Sequence, residues 1–441
     1  MAHVHHHHVP VTVEGEQGVR RGAKFIIGGL TSGHGVFHWF TRSFEVMMPE
    51  VRDAFNLTGV GVGGITTARE LASGFVSLPG GVVTDMVRHY WGLVLAGCMA
   101  LFGIGWLVIG LSPVYPLLLL GMALVAVAAS VWHLPAMSAL SHHFAHRRGS
   151  ALSFHGVGGQ VGDAIAPFVT GLLLVVLAWN EIISIYAVAP LLLTFLVFWA
   201  FKDIGRSGEQ EETRIDLSSQ LAQSSRLLRN PRLLLITLVA GLRGMAFVAY
   251  IPFLALYLED GPGLNEFWRG VHLTVLVVVG ILSTPVMGYL SDRLGRKIVL
   301  IPGMLFIGTM TVLLPFGEGI TLLIVLALLG TFLFSDQPIL TAAALDIVGE
   351  GVAASTLGFL SFSRFVLSAS SPIIAGFLYN MNINFTFYYI AALLGIATLI
   401  LLFIRLPRLQ SSGQHGHRQG PAAASHEQHD HHRHDHGHHR H

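Results

Sequence analysis

Residues 288–297 have the sequence Gly-Tyr-Leu-Ser-Asp-Arg-Leu-Gly-Arg-Lys and lie between two long apolar runs. The stretch predicts a tight turn between two membrane helices. Asp292 can accept hydrogen bonds from backbone N–H groups at a helix start, and Gly295 permits a sharp reversal of the chain direction. Its basic side chains are expected to stay at one membrane face. The residues of this predicted gating loop are Gly288, Asp292, Arg293, Gly295, Arg296 and Lys297.

A partial copy of this turn lies 207 residues earlier in the chain. It keeps the Gly-x-x-x-Asp spacing and part of the basic cluster, at Gly81, Asp85, Arg88 and His89. Two other patterns recur at offsets of 203 and 205 residues: His133-Leu134-Pro135 with Asp336-Gln337-Pro338, and Pro167 and Gly171 with Pro372 and Gly376. The chain is therefore predicted to consist of two related halves.

The composition is that of an integral membrane protein. Hydrophobic residues make up 52% of the chain and charged residues only 12%, against about 25% charged in a typical soluble domain. The mean hydropathy is +0.63. The single cysteine, Cys98, lies in an apolar run, which excludes an intrachain disulfide and a cysteine metal cluster.

Twelve apolar segments are close to or above the roughly 20 residues that cross a bilayer as a helix. They are residues 23–49, 57–84, 90–111, 114–140, 149–178, 181–201, 231–258, 268–291, 297–316, 319–346, 352–380 and 383–406. The predicted order is a disordered N-terminus (1–22), a six-helix half (23–202), a linker (203–230), a second six-helix half (231–406) and a His-rich disordered tail (407–441). The linker is compatible with an interfacial helix or with a solvated segment.

Lysine and arginine are distributed unequally between the two membrane faces. With both termini inside, the cytoplasmic segments other than the C-terminal tail carry seventeen of these residues, and the opposite loops carry two, Arg52 and Arg269. Because basic loops are retained on the cytoplasmic side, both termini are expected there. The protein is accordingly predicted to be a multi-pass protein of the cell membrane.

The repeated turn resembles the loop signature of the major facilitator superfamily, and the resemblance extends from about Lys24 to Leu406. The second copy matches the signature throughout, whereas the first has Met86 where a basic residue is usual and Arg88 where glycine is. The resemblance implies an all-α fold of twelve transmembrane helices in two pseudo-symmetric halves. It also implies alternating access around a substrate site between the halves.

The segment from Ser130 to Gly171 is similar to the fosmidomycin-resistance-type efflux subgroup of that family. It contains an aromatic-His-x-Pro sequence ending at Pro135 and a Val-Gly-Gly-amide sequence ending at Gln160. In the superfamily, small residues and a proline on the fifth span are associated with antiporters. Here we expect packing and hinge roles for Gly158, Gly162, Pro167 and Gly171. The fourth span has no arginine, so the usual proton-coupling residue of drug antiporters has no counterpart.

Charged side chains inside spans cost about 2.5–3.5 kcal/mol on insertion scales and are functional candidates for that reason. The predicted spans contain four basic and four acidic side chains, so their charges can neutralise one another within the protein. Together with nearby histidines and amides they form the predicted substrate or coupling cavity: His34, His38, Arg42, Glu45, Arg69, Glu70, His133, His155, Gln160, Asp163, Arg243, Asp336, Gln337 and Arg364.

Helical spacing predicts which of these side chains share a face. His34, His38, Arg42 and Glu45 recur on one side of the first span, and His155 and Asp163 on one side of the fifth. Asp163 is the predicted carrier of a coupling proton, and Arg364 is predicted to pair with Asp336. The alternatives are structural: Arg42 and Glu45 can simply neutralise each other, and Arg69 and Glu70 can do likewise.

No enzyme signature is present, since the sequence has no Walker-type loop, Ser-His-Asp arrangement or zinc-hydrolase spacing. Transport is therefore expected to use a gradient. The sequence favours a proton-coupled exporter of a small solute or drug, with efflux of a divalent transition metal as the alternative and a membrane sensor as a remote one. We expect a monomer in the lipid bilayer, without cofactor or nucleic-acid partner.

The two ends of the chain are rich in histidine. Neutral imidazole binds Ni²⁺, Co²⁺, Zn²⁺ and Cu²⁺, so the tails are expected to bind divalent metal. Such tails could collect metal for efflux, merely buffer it, or regulate transport; in the first case the intramembrane histidines would form a relay. The tail ligands are His5, His6, His7, His8, His415, His417, His429, His431, His432, His434, His436, His438, His439 and His441.

Overall fold

A computed structural model of the protein describes residues 22–205, 229–348, 360 and 363–406, with side chains at all of these except 77–83, 85 and 145. The described residues belong to one unit that ends at Pro407. The predicted N-terminus, nearly all of the linker with its possible interfacial helix, and the His-rich tail with its ligands lie outside them. Across the described ranges the regular structure is helical and contains no strand.

The N-terminal half is built from six long helices and one short one. They are α1 (Ala23–Val46), α2 (Met48–Ala54), α3 (Gly59–Met86), α4 (Trp91–Gly110), α5 (Tyr115–His143), α6 (Arg148–Leu174) and α7 (Trp179–Phe201). The predicted first span, 23–49, is divided in the structure, because α1 ends at Val46 and α2 starts at Met48 with Pro49 in its first turn. A proline is tolerated there because the first N–H groups of a helix have no helical partner.

The C-terminal half repeats this order after residue 230. Its helices are α8 (Pro231–Asp260), α9 (Glu266–Leu294), α10 (Arg296–Leu313), α11 (Gly319–Leu333), α12 (Asp336–Val348), helical residues 363–368, α13 (Ser371–Met381) and α14 (Phe385–Phe403). Each of the twelve predicted spans thus contains helix, and nine helices of the described ranges are long and apolar enough to cross a membrane. The prediction of an all-helical membrane fold in two halves is confirmed.

The predicted tenth span, 319–346, is interrupted. Phe334 and Ser335 leave the helix, so that α11 and α12 are separate. Pro338 lies in the first turn of α12, where its missing N–H is tolerated, whereas in a continuous helix the carbonyl of Phe334 would lose that bond. Asp336 consequently lies at a helix start, in the middle of the half.

The turn at residues 288–297 has the predicted sharpness. One residue, Gly295, separates α9 from α10, and its φ of +107° lies in the region that favours glycine. The role predicted for Asp292 is wrong: it lies in the last turn of α9 and pairs with Arg296 instead of capping a helix start. Lys297 donates to the carbonyls of Leu402 and Ile404, at 2.5 and 3.1 Å, which fixes the turn to the end of α14.

The two halves meet along two helix pairs, α3 with α13 and α6 with α9. Glycines allow both contacts: a Cβ on Gly63 would lie 2.2 Å from the Pro372 carbonyl oxygen, and one on Gly171 would lie 3.0 Å from the Cα of Gly270. Such close approach is what stabilises helix pairs in lipid, where burial of apolar side chains drives association only weakly. The amide of Gly59 also donates to the Asn380 side chain at 2.7 Å.

Candidate functional site

Four histidines from three helices converge inside the N-terminal half. His34 and His38 lie one turn apart on α1, His133 lies on α5 and His155 on α6. The ring centroid of His34 lies 4.5 Å from that of His38, 4.8 Å from that of His133 and 4.2 Å from that of His155, on which it stacks. We call these four side chains the histidine cluster.

Backbone and carboxylate acceptors orient three of the four rings. Nδ1 of His34 lies 2.8 Å from the carbonyl oxygen of His155, and Nδ1 of His133 lies 2.6 Å from that of Ala129. Nδ1 of His38 lies 3.0 Å from Oδ2 of Asp163. Since carbonyl and carboxylate oxygens can only accept, each Nδ1 carries a proton, and in a neutral ring Nε2 then keeps a free lone pair.

Asp163 is the junction between the histidine cluster and the buried charges. Its other oxygen, Oδ1, accepts from Nε of Arg42 at 2.9 Å. Arg42 in turn donates to Glu45 at 2.7 Å, so the pairing of Arg42 with Glu45 exists but is only part of its environment. The side chain of Asp163 is 14% exposed and that of Arg42 11% exposed, so this ion pair is largely removed from solvent.

The chain of charges continues from α1 to α3 and across to the C-terminal half. Arg69 lies 3.6 Å from Glu45 and 3.7 Å from Glu70. Glu70 accepts from the hydroxyl of Ser368 at 3.3 Å, and it is the acid whose charge acts on Arg364. Arg69 and Glu70, adjacent in sequence, therefore belong to one network that joins the halves.

The predicted pair of Arg364 with Asp336 is wrong. Asp336 accepts from Arg243 of α8, with N–O distances of 2.6 and 2.8 Å, and Arg243 also donates to the Leu333 carbonyl at 2.7 Å. Both side chains are almost fully buried. Arg364 instead lies over the ring of Phe365, 4.4 Å from its centroid, and faces Glu70.

An aromatic contact links the two charged sites. The guanidinium of Arg42 lies 5.6 Å from the ring centroid of Phe334, in the break between α11 and α12. Phe334 packs against Phe247 at 5.8 Å, and Arg243 lies 4.4 Å from the ring of Phe247. The charged chain of the first half thus contacts the helix break of the second.

The small residues of α6 bring this helix against α1. A Cβ on Gly158 would lie 2.0 Å from the Thr31 carbonyl oxygen, and one on Gly162 would lie 2.5 Å from that of Gly35. Gly159 lies over the histidine rings, where a Cβ would be 2.9 Å from Cε1 of His34 and 3.0 Å from Nε2 of His38. Pro167 lies inside α6, and Gly171 contacts α9.

The remaining predicted site residues lie outside these contacts. Gln160 is half-buried beside Gly159, and Oε1 of Gln337 is buried without a hydrogen-bond partner among the described residues. In the first gating loop, Gly81 and Asp85 belong to α3 and their side chains are not described, whereas Arg88 lies 5.8 Å from the Trp91 ring. In the second, Arg296 also bonds Asp346 at 3.1 Å and Arg293 lies over Tyr289.

An apolar cavity of about 550 Å³ lies between α1, α6 and α7. Trp39 and Tyr186 lie against its wall, next to the backbone of Gly158 and Gly162. It occupies the face of α1 beside the one that carries the histidine cluster. Spacing alone did not predict this cavity, because its lining residues are apolar and resemble any lipid-facing surface.

A group of ion pairs that the sequence did not predict joins the halves near α2. Arg52 contacts Glu259 and Asp260 at 3.2 and 2.5 Å. The other members of the group are Glu50, which pairs with Arg269; Arg269, which also contacts Glu259 at 2.5 Å; and Tyr379, which donates to Asp260 at 2.7 Å. We call these six residues the inter-half latch.

One feature of the sequence, the distribution of basic residues, does point to the inter-half latch. Arg52 and Arg269 are the two basic residues that the charge distribution leaves on the face opposite the seventeen of the cytoplasmic segments. Arg269 is 1% exposed, so its charge must be compensated by the acids it contacts. Burial raises the pKa of Glu50 above its usual value, against the lowering effect of the Arg269 charge.

Comparison with known proteins identifies the same family that the sequence resembles, over most of the chain. The family model of the Major Facilitator Superfamily matches residues 30–282 and 269–431. The MFS-type transporter YfnC of Bacillus subtilis is 24% identical over 326 residues, which is 71% of this chain and 78% of YfnC. The fosmidomycin resistance protein of Escherichia coli is 23% identical over 298 residues, 66% of this chain and 71% of that protein, so the chain is similar to a member of the subgroup that its sequence resembles.

The fold agrees with a solved transporter. The crystal structure of a point mutant of the nucleoside transporter NupG superposes with a TM-score of 0.73 at 13% identity, covering 86% of this chain and 99% of NupG. At that identity the likeness concerns the fold alone. The chain is therefore a multi-pass transporter, not an enzyme, and belongs to the Major Facilitator Superfamily.

Proposed function

We propose that this transporter is a proton-coupled exporter that works by alternating access, with Asp163 as the residue that binds and releases the coupling proton. The observation that carries the proposal is the position of Asp163: its two oxygens are shared between His38 and Arg42, at 3.0 and 2.9 Å. A proton on this carboxylate would remove the charge that both partners face. The protonation state of one residue can thereby change the contacts of α1, which carries both of them, with α6.

The chain of charged side chains can transmit the effect of protonating Asp163 to the C-terminal half. Arg42 has a second acid, Glu45, and an aromatic neighbour across the interface, Phe334. Released from Asp163, the guanidinium would shift toward Glu45 and change its contact with the helix break that precedes Asp336. Only an interaction that differs between the two states can drive a conformational change, and the Asp163–Arg42 bond is such an interaction.

The inter-half latch supports a proposal for the side of the membrane to which this conformation is closed. The excess of lysine and arginine at the opposite face favours a cytoplasmic position for both termini, which puts the latch on the outside. The conformation described here is then closed toward the outside by the latch and by the glycine contacts of α3 with α13. Opening toward the outside would break the contacts of Arg52 with α8 and the ion pair between Glu50 of α2 and Arg269 of α9.

Export of a small solute or drug is the transport direction that the relatives favour. The name of the Escherichia coli relative assigns it to fosmidomycin resistance, and the apolar cavity beside α1 would suit an amphiphilic solute. Because the sequence carries no Walker-type loop for ATP, an ion gradient is the proposed energy source and protons are the proposed coupling ion. Monomeric function is part of the same proposal.

Proteoliposomes test this proposal. Purified full-length protein is reconstituted with pyranine inside, a proton gradient is imposed, and proton flux is recorded when fosmidomycin or a panel of small drugs is added. Asp163→Asn keeps the size of the side chain but cannot carry the charge, so its coupled flux should fall to that of empty liposomes. Glu181→Gln, an exposed acid-to-amide change at the start of α7, is the control and should match the original protein. Normal coupled flux in Asp163→Asn would remove Asp163 from the mechanism.

Efflux of divalent transition metal is the second candidate, and the histidine cluster is the observation that favours it. Cells that make the full-length protein should then accumulate less Ni²⁺, Co²⁺, Zn²⁺ or Cu²⁺ than cells with an empty vector. Equal accumulation of all four would leave organic-solute export as the function. A protein without flux of any solute would instead act as a membrane sensor.

A further inference from the structure

We propose that Nε2 of His34, His38 and His133 form a binding site for a divalent transition-metal cation inside the N-terminal half. The site deepens the second candidate above, and as a transport site it rests on the proposed function. Binding itself can be measured without transport. Three neutral imidazoles favour Zn²⁺, Ni²⁺, Co²⁺ or Cu²⁺, whereas Mg²⁺ and Ca²⁺ prefer oxygen ligands.

The distances fit a metal with three histidine ligands. One ring nitrogen from each of His34, His38 and His133 lies within 4.8 Å of the other two. Metal–nitrogen bonds of about 2.0–2.1 Å place tetrahedral ligands about 3.3 Å apart, so the three rings must move closer together when an ion binds. The helices that carry the rings pack against one another, which keeps the three side chains together.

The hydrogen bonds of the three Nδ1 atoms hold the rings in the orientation that a metal site requires. Each Nδ1 donates to a fixed acceptor: the carbonyl of His155, Oδ2 of Asp163 or the carbonyl of Ala129. Metal-binding histidines almost always donate their second N–H to a carboxylate or a carbonyl, which selects the tautomer and orients the ring.

His155 is a second, independent observation. Its ring stacks on His34 and is 4% exposed, and both of its nitrogens are buried without a well-formed hydrogen bond to the described residues, with the Leu30 carbonyl nearby. A buried imidazole without partners is costly unless a ligand satisfies it. The bound ion can take His155 as its fourth ligand after a rotation of the ring, or a water molecule in its place.

His38 connects this site to the proposed proton carrier. Metal on Nε2 of His38 would make its Nδ1–H a stronger donor to Asp163 and would favour the charged carboxylate. A proton on Asp163 would weaken the same bond, and a proton on Nε2 would block the ligand atom itself. Metal and proton therefore oppose each other at His38, which is the behaviour that exchange of one cation for the other requires.

The test uses Co²⁺ as the probe and full-length protein. In the parent protein, all histidines before residue 22 and after residue 407 are changed to serine, so that the tails do not compete for the ion. Co²⁺ is titrated into the purified protein in detergent, its visible spectrum is recorded, and bound metal is counted after dialysis. We expect one Co²⁺ per chain, with an intense band of low-coordinate cobalt, and weaker binding at lower pH.

His133→Gln should weaken Co²⁺ binding by at least about tenfold and remove the band. His272→Gln is the matched control: His272 also donates from Nδ1 to a backbone carbonyl, that of Trp268 at 2.7 Å, but lies outside the cluster. Its binding should equal that of the parent. Thermal unfolding of each variant in detergent separates lost ligands from lost fold, and Asp163→Asn should still bind Co²⁺ with altered pH dependence.

Equal Co²⁺ binding by the His133 and His272 variants would overturn the site, as would a folded parent that binds no Co²⁺ at millimolar concentration. The result is independent of the transport assays. If Co²⁺ binds as expected but no coupled proton flux is found, the site stands and the exporter proposal fails. If coupled drug flux is found and Co²⁺ does not bind, the reverse holds.

Discussion

The two halves carry different chemistry at the same point of the internal repeat. In the N-terminal half, His133 lies within the unbroken helix α5 and, among the described residues, bonds the Ala129 carbonyl through one ring nitrogen. In the C-terminal half, Asp336 lies at a helix break, and Arg243 satisfies both of its oxygens. One half thus holds groups that can exchange a proton or a ligand, and the other holds a closed ion pair.

The two sites differ in how many hydrogen bonds hold their charged groups. The histidines are held by single hydrogen bonds, and a proton on Asp163 would remove the charge that holds both His38 and Arg42. Arg243 makes three bonds to Asp336 and to the Leu333 carbonyl, and neither charge has access to water. Breaking that pair leaves an uncompensated buried charge, which costs about 3–5 kcal/mol. The pair is therefore expected to stay closed and to hold α8 against α12.

The largest effect is expected from breaking the closed pair. Arg243→Ala leaves Asp336 buried without a partner and should lower the free energy of unfolding by about 3–5 kcal/mol. The double variant Arg243→Ala with Asp336→Ala removes both charges and should be clearly more stable than the single one. Thermal unfolding in detergent and the yield of monodisperse protein measure both. Equal damage in the two variants would mean that the pair does not govern stability.

A smaller effect is expected where the histidine rings are disturbed without removing a charge. Gly159→Ala would place a methyl group 2.9 Å from His34 and 3.0 Å from His38, so the rings must shift. Overpacking of this kind costs about 1–3 kcal/mol and should lower coupled transport. Gly156→Ala, one turn away on α6, meets nothing within 4 Å and is the control. Transport that is reduced equally by both changes would show that the ring positions are not important.

Much of the fold could be predicted from residues that membrane physics constrains tightly. Apolar length gives the spans, the repeated turn gives the two halves, and Gly295 marks a reversal that a positive φ requires. The break at residue 334 was missed, although Pro338 was visible, because hydropathy is continuous across it. Helical spacing also placed His34, His38 and Arg42 on one face, and the structure brings that face against Asp163.

Partners between distant helices could not be predicted in the same way. Asp336 was assigned to Arg364 because no other acid was near, yet Arg243 on α8 was an equally available base. Which one faces Asp336 depends on the rotation of helices that are 93 residues apart in sequence, and spacing within one helix does not contain that information. The latch was missed for the same reason, since its members come from separate parts of the chain.

The central claim is that proton coupling belongs to Asp163 in the first half and not to Asp336 in the second. The most direct measurement is solute-coupled proton flux in proteoliposomes for Asp163→Asn beside the double variant Arg243→Ala with Asp336→Ala, at equal amounts of folded protein. We predict that the double variant retains coupled flux, with any loss matching its stability, while Asp163→Asn shows none. Coupled flux that survives in Asp163→Asn and disappears in the double variant would contradict the account.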